Sequence, residues 1–167
     1  MVYEWNCFLE LIYQQIFTSY EFLTMHLCTV LVVVGMDAEL DESWVNNVNQ
    51  TEDRIVSQWR EVSANEKHEM HDKVDKILRR HGLQTRLLVV EHANSLVLYF
   101  ICMTLSAVMS LRDQWSSGQL RGIVQELFTF LSHPTQTIYV RRLTWPLSDY
   151  QQCLKFFSFA QGQQANH

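Results

Sequence analysis

Arg86-Leu-Leu-Val-Val90, Glu91-His-Ala-Asn94, Ser95-Leu-Val-Leu-Tyr-Phe-Ile-Cys102: two runs of β-prone residues flank a short polar stretch of hairpin length. Such runs predict two antiparallel strands. Before them, residues 51–81 carry apolar residues at helical spacing: Ile55, Val56, Trp59 and Val62, then Met70, Val74, Ile77 and Leu78. Thr51 is the expected cap of the first of these helices, Ser63 and Glu66 form a capping box for the second, and Gly82 ends it. Further upstream, Leu27-Cys-Thr-Val-Leu-Val-Val-Val34 reads as a buried strand closed by Gly35, with the acidic stretch Asp37 to Glu42 as a solvated loop or short helical turn.

Downstream of the hairpin the helical period returns with Leu105, Val108, Met109 and Trp115, breaks at Ser116-Ser117-Gly118, and resumes from Leu120 to Leu131 before Pro134. Thr137 to Trp145 predicts a last strand, and Tyr150, Cys153, Leu154 and Phe157 a closing helix behind Pro146. Trp5, Phe8, Leu9, Ile12 and Ile16 mark an added N-terminal amphipathic helix. The expected organisation is an N-terminal helix over 1–25, an α/β domain over 26–158 and a flexible tail over 159–167. Its fold class is α/β, as an α+β sandwich: a ferredoxin-like βαββαβ unit with an antiparallel sheet and helices on one face.

In that topology the first and third strands are central, and alternation should separate a core face from a wet one. Neither strand alternates in polarity. Leu96, Leu98 and Phe100 oppose Val97, Tyr99 and Ile101, and the first strand is apolar on both sides, with Val30 and Val32 on one of them. A second apolar face needs a cover, either the N-terminal helix or another protein, because large apolar patches are rare on monomers unless they bind something.

With 47% hydrophobic and 19% charged residues, only 5 Gly and 2 Pro, the 167-residue chain is no disordered segment. A net charge of -5 argues against binding nucleic acid by phosphate neutralisation, and the third strand lacks the basic residues of an RNA-recognition strand. The apolar stretches Phe22 to Met36 and Leu96 to Met109 are shorter than the ~20 residues of a membrane span. Cys7, Cys28, Cys102 and Cys153 lie scattered in apolar runs and Met1 to Asn6 has no basic residue, so reduced thiols and a cytoplasmic location are expected.

No pattern demands catalysis. His68 and His71 stand three apart on a helix, without the four-residue spacing of a zinc hydrolase or a third ligand. His92 and His133 read as loop residues, no CxxC pair is present, and no glycine-rich phosphate loop follows a strand. No metal, cofactor or enzymatic activity is expected.

Ser95-Leu-Val-Leu-Tyr-Phe-Ile-Cys102, Leu111-Arg-Asp-Gln-Trp-Ser-Ser-Gly-Gln-Leu120 and Tyr150-Gln-Gln-Cys-Leu-Lys-Phe-Phe157 together resemble the N-terminal domain of the tumour-necrosis-factor-receptor-associated death-domain adaptor and similar domains of animal innate-immune proteins. The resemblance spans residues 26–158. It implies an α/β sandwich acting as a non-enzymatic adaptor in innate-immune or death signalling, with a TRAF-family protein or another signalling adaptor as partner. Alignment with that family puts Val30, Val32, Val90 and His92 at the partner contact. Val97 and Tyr99 of the second sheet face, and Asn94 in the hairpin loop, complete the expected partner surface. A homodimer formed through the same apolar face is the alternative.

Overall fold

The computed structural model describes residues 32–44, 47–64, 68–132 and 137–164. Within them a four-stranded sheet is built from β1 (Val32–Leu40), β2 (Thr85–His92), β3 (Leu96–Cys102) and β4 (Val140–Thr144). Five helices accompany it: α1 (Val48–Ala64), α2 (His68–Arg80), α3 (Leu105–Ser116), α4 (Gln119–Ser132) and α5 (Leu147–Gln164). The strand order is β2-β3-β1-β4, so the first and third strands are central, and every pair is antiparallel. The expected N-terminal helix over 1–25, Val30 and His133 lie outside the described residues. No described helix is long and apolar enough to cross a membrane.

One face of the sheet carries the core. Val32, Val34, Met36, Ala38 and Leu40 of β1 lie in one buried cluster with Leu96, Leu98, Phe100 and Cys102 of β3 and with side chains of all five helices. Burying such aliphatic and aromatic side chains contributes on the order of 1.5–3 kcal/mol each, which holds the helix layer to the sheet. Trp59, Leu98, Ile123 and Leu127 are buried in this cluster, whereas Trp115 is only half-buried against it.

β1 corrects the sequence expectation. It does not stop at Gly35; it runs on to Leu40, and its last residues alternate, with Met36, Ala38 and Leu40 inward and Asp37 and Glu39 outward. The acidic stretch is therefore half strand. Gly35 is tolerated in mid-strand because the Tyr99 ring lies across it: a Cβ there would sit 3.2 Å from Tyr99 Cε1.

Helix ends follow local chemistry. Asn47, not Thr51, starts α1: its Oδ1 accepts the Gln50 N–H at 3.1 Å, while Thr51 is buried one turn inside. Ser63 belongs to α1 rather than capping α2. Gly82 ends α2 at φ +78°, with its N–H bonded to the Arg79 carbonyl and the Leu83 N–H to that of Leu78, the Schellman arrangement. Thr104 caps α3 by accepting the Ala107 N–H at 3.1 Å, and Gly118 (φ +81°) makes the turn into α4. Helix α5 reaches Gln164, so residues 159–164 are helical rather than the expected tail.

Candidate functional site

The face of the sheet turned away from the core carries Val33, Gly35, Asp37 and Glu39 from β1 and Val97, Tyr99 and Ile101 from β3. Pairing places Val33 beside Ile101, Gly35 beside Tyr99 and Asp37 beside Val97. On the other side of β3, Val89 pairs with Tyr99 and Glu91 with Val97. The result is an apolar platform of Val33, Val89, Val97, Tyr99 and Ile101, all half-buried, that gives way to charge at Asp37 and Glu91. None of the five belongs to the buried core cluster or to the side chains packed against it.

Tyr99 is the centre of this platform. Its ring can lie flat because Gly35 offers no side chain, and it is not without a partner. Burial, and then the carboxylates of Glu91 and Asp37, raise its phenol above the ordinary value.

Val32 and Val90, both expected on the partner surface, are instead 7% and 1% exposed, on the helix-covered face. They cannot share a surface with Val97 and Tyr99. For Val32 the reason is the two-residue period: Val32 pairs with Cys102, on the core side, and its neighbour Val33 faces outward. For Val90 it is a register shift between Leu87 and Val89. An extra residue in β2 flips the phase, so Leu87 and Val90 both face the helices and Val89 takes the outward place. The uniformly apolar run Leu87–Val90 holds no mark of that shift. Val33, Val89 and Ile101 are the surface residues missing from the expected set; the alternation of β3 pointed to Ile101 alone.

Helix side chains bond backbone groups on both edge strands. At β2 the Trp59 indole N–H donates to the Leu88 carbonyl at 3.2 Å, within the register shift. At β4 the Trp115 indole N–H donates to the Leu143 carbonyl at 3.0 Å, and the Val140 N–H donates to Gln125 Oε1 at 3.1 Å. Helices thus occupy backbone groups that an incoming strand would need. Arg112 reinforces the β4 side, with its guanidinium 4.2 Å from the Trp115 ring centre, 4.9 Å from that of Tyr150, and donating to the Trp145 carbonyl at 3.0 Å.

At the hairpin end His92 is held in a clamp. Its Nε2 lies 2.7 Å from Glu52 Oε2 and its Nδ1 2.7 Å from Asp53 Oδ1, tying the end of β2 to the second turn of α1. Burial raises the Glu52 carboxyl above its ordinary value, with His92 opposing the shift. Both ring nitrogens face carboxylates, so neither is presented to a substrate. Asn94 is exposed on the rim of an open polar cleft of about 550 Å³, which Glu39, Asn47, Glu52 and Arg141 also line. Among the described residues no group of three or more His, Cys, Asp or Glu side chains is placed to hold a metal ion.

The thiols lie away from this region. Cys102 and Cys153 are unpaired and buried against the helix side of the sheet. Burial, and then the neighbouring Cys153, push the Cys102 thiol up to about 12, which keeps it in the unreactive protonated form. No family model, curated protein or solved structure matches the chain.

Proposed function

We propose that the protein is a non-enzymatic protein-interaction module that binds its partner on the outer face of the sheet, as an adaptor in innate-immune or death signalling. The observation that carries this reading is the platform of Val33, Val89, Val97, Tyr99 and Ile101, which the core leaves unused. An apolar centre around one aromatic, rimmed by charge at Asp37 and Glu91, has the anatomy of a protein-binding patch. The edge-strand groups taken up by Trp59, Trp115 and Gln125 weigh against recognition by strand addition and favour the face as the contact.

The order β2-β3-β1-β4 supports a ferredoxin-like plait, and the helices on one side support the sandwich implied by the resemblance to the death-domain adaptor family. A TRAF-family protein is the partner proposed on that ground. Unpaired, buried Cys102 and Cys153 support action in the reducing cytoplasm. His92 and Asn94 stand at the hairpin end toward α1, apart from the platform, with His92 bonded to Glu52 and Asp53.

The test is direct titration of purified TRAF-family domains against the full chain by calorimetry, with Val97→Asp and Ile101→Asp as face variants and Asn94→Ala at the rim. Saturable binding abolished by the face variants supports the reading. Absence of binding to every domain tried, or binding indifferent to both face variants, refutes it. The alternative, a homodimer through the same face, predicts twice the chain mass in solution for the parent and monomeric face variants.

A further inference from the structure

The geometry points to a second interaction surface, on the helix side of the fold: a groove between α2 and α4 that takes an acidic peptide segment anchored by an apolar side chain. This surface is separate from the outer face of the sheet and stands independently of the function proposed above.

The groove is open, with a volume of about 530 Å³, and lies between Lys73, Lys76, Ile77 and Arg80 of α2 and Glu126 and Phe130 of α4. Helical spacing assembles it. Positions 73, 76, 77 and 80 fall on one face of α2, and positions 126 and 130, one turn apart, share a face of α4. Ile77 and Phe130 make the floor. Both are half-buried and packed against the core cluster, so the floor is held in place while part of each side chain stays open to a ligand.

The rim is cationic. Lys73, Lys76 and Arg80 are all exposed, on a chain whose net charge is -5. Glu126, the one acidic side chain in the lining, is already engaged: Arg80 Nη2 bonds its Oε1, and His81 Nε2 lies 2.9 Å from its Oε2. These bonds tie the end of α2 to α4. Lys73 faces only Glu69, 3.3 Å away and largely exposed, a contact worth little in water and readily exchanged for a partner's carboxylate. Among the described residues Lys76 has no ion-pair partner.

Charge and shape together select the occupant. Carboxylates meet Lys73 and Lys76 on the rim while an apolar side chain fills the floor over Ile77 and Phe130, the arrangement of an anchor residue in a peptide groove. A concave site with three cations favours a peptide over a membrane surface, which is recognised by clusters of four to eight basic residues.

The experiment titrates the full chain, followed by amide chemical shifts, with a synthetic peptide of about 12 residues, rich in glutamate and carrying one leucine and one phenylalanine four apart. Two control peptides have alanine in place of both apolar residues, or lysine in place of every glutamate. Saturable shifts are expected at Lys73, Lys76, Ile77 and Phe130 below about 1 mM peptide. The pair Lys73→Glu and Lys76→Glu should weaken binding by about ten-fold or more, as should the alanine control, and added salt should weaken it further. Both lysines are exposed, so the spectrum of that variant should stay dispersed. Lys155→Glu, an exposed charge change on α5, should leave binding intact. Absence of saturable shifts, equal binding of either control peptide, or indifference to the lysine pair overturns the inference. Vesicles containing phosphatidylserine are the last arm: if they bind through the same lysines and the peptide does not, the surface meets a membrane and the peptide groove is refuted.

Discussion

Replacing Trp115 by Phe isolates the bond that ties α3 to the β4 edge strand. The phenyl ring retains most of the apolar contact but loses the indole N–H, which donates to the Leu143 carbonyl at 3.0 Å. A net hydrogen bond is worth about 1 kcal/mol, and weaker stacking of Arg112, now 4.2 Å from the indole centre, adds about 0.5 kcal/mol. The expected loss is about 1.5 kcal/mol, or a melting-point drop of about 3–6 °C for a chain of this size. Trp115→Ala should cost about 2–3 kcal/mol, less than the 3–5 of a fully buried Trp, because the side chain is half-buried. Urea and thermal unfolding followed by far-ultraviolet circular dichroism avoid the signal of the missing indole. Freeing the Leu143 carbonyl should also raise concentration-dependent association, visible in sedimentation velocity. A Phe variant that melts with the parent and stays equally monomeric would refute the role of that bond. Trp44→Phe is the control: Trp44 is 64% exposed, and the change should cost under about 0.5 kcal/mol.

Gly35→Val should force Tyr99 off its seat, since even a Cβ would come within 3.2 Å of the ring; the expected readout is a shifted Tyr99 ring resonance and weakened partner binding, and an unmoved ring refutes the platform geometry. Glu52 is held above its ordinary 4.5 by burial, so the fold takes up a proton there that the unfolded chain has released. Its favourable contribution is present below the unfolded value and is lost as pH rises through the folded one. The stability of Glu52→Gln relative to parent should therefore improve from about pH 4 to about pH 7, measured by paired urea titrations. Glu39, held low by hydrogen bonds from Arg142 and Arg141, works in the opposite direction: its contribution is present above the ordinary 4.5 and is lost as pH falls. Cys102 and Cys153 should resist alkylation near neutral pH until the chain is unfolded, and rapid labelling of either in the folded protein would contradict their burial.

Most elements were legible because their signals are local. The helical period of residues 105–131, the break at Gly118, the hairpin and the closing helix behind Pro146 all depend on neighbours in sequence. The end of β1 was legible in part. A strand of Val residues followed by glycine looks finished, yet Met36, Ala38 and Leu40 already alternate with Asp37 and Glu39. What hid the continuation was Gly35, whose role is visible only with Tyr99 across it.

By itself the sequence determined that the chain folds as α/β, that its third strand is apolar on both sides, and that its thiols lie in apolar runs. These properties follow from composition and periodicity along the chain. Tertiary structure alone decided which residues meet on the outer face. A strand side chain changes face with a one-residue shift, and neither the pairing of Val33 with Ile101 nor the register shift beside Leu88 is written into an unbroken run of aliphatic residues. The bonds to the edge strands were likewise decided in three dimensions. Trp59 and Trp115 read as core positions, but their indole nitrogens find carbonyls on strands 29 and 28 residues away. A half-buried polar group takes the nearest partner that the assembled fold brings to it.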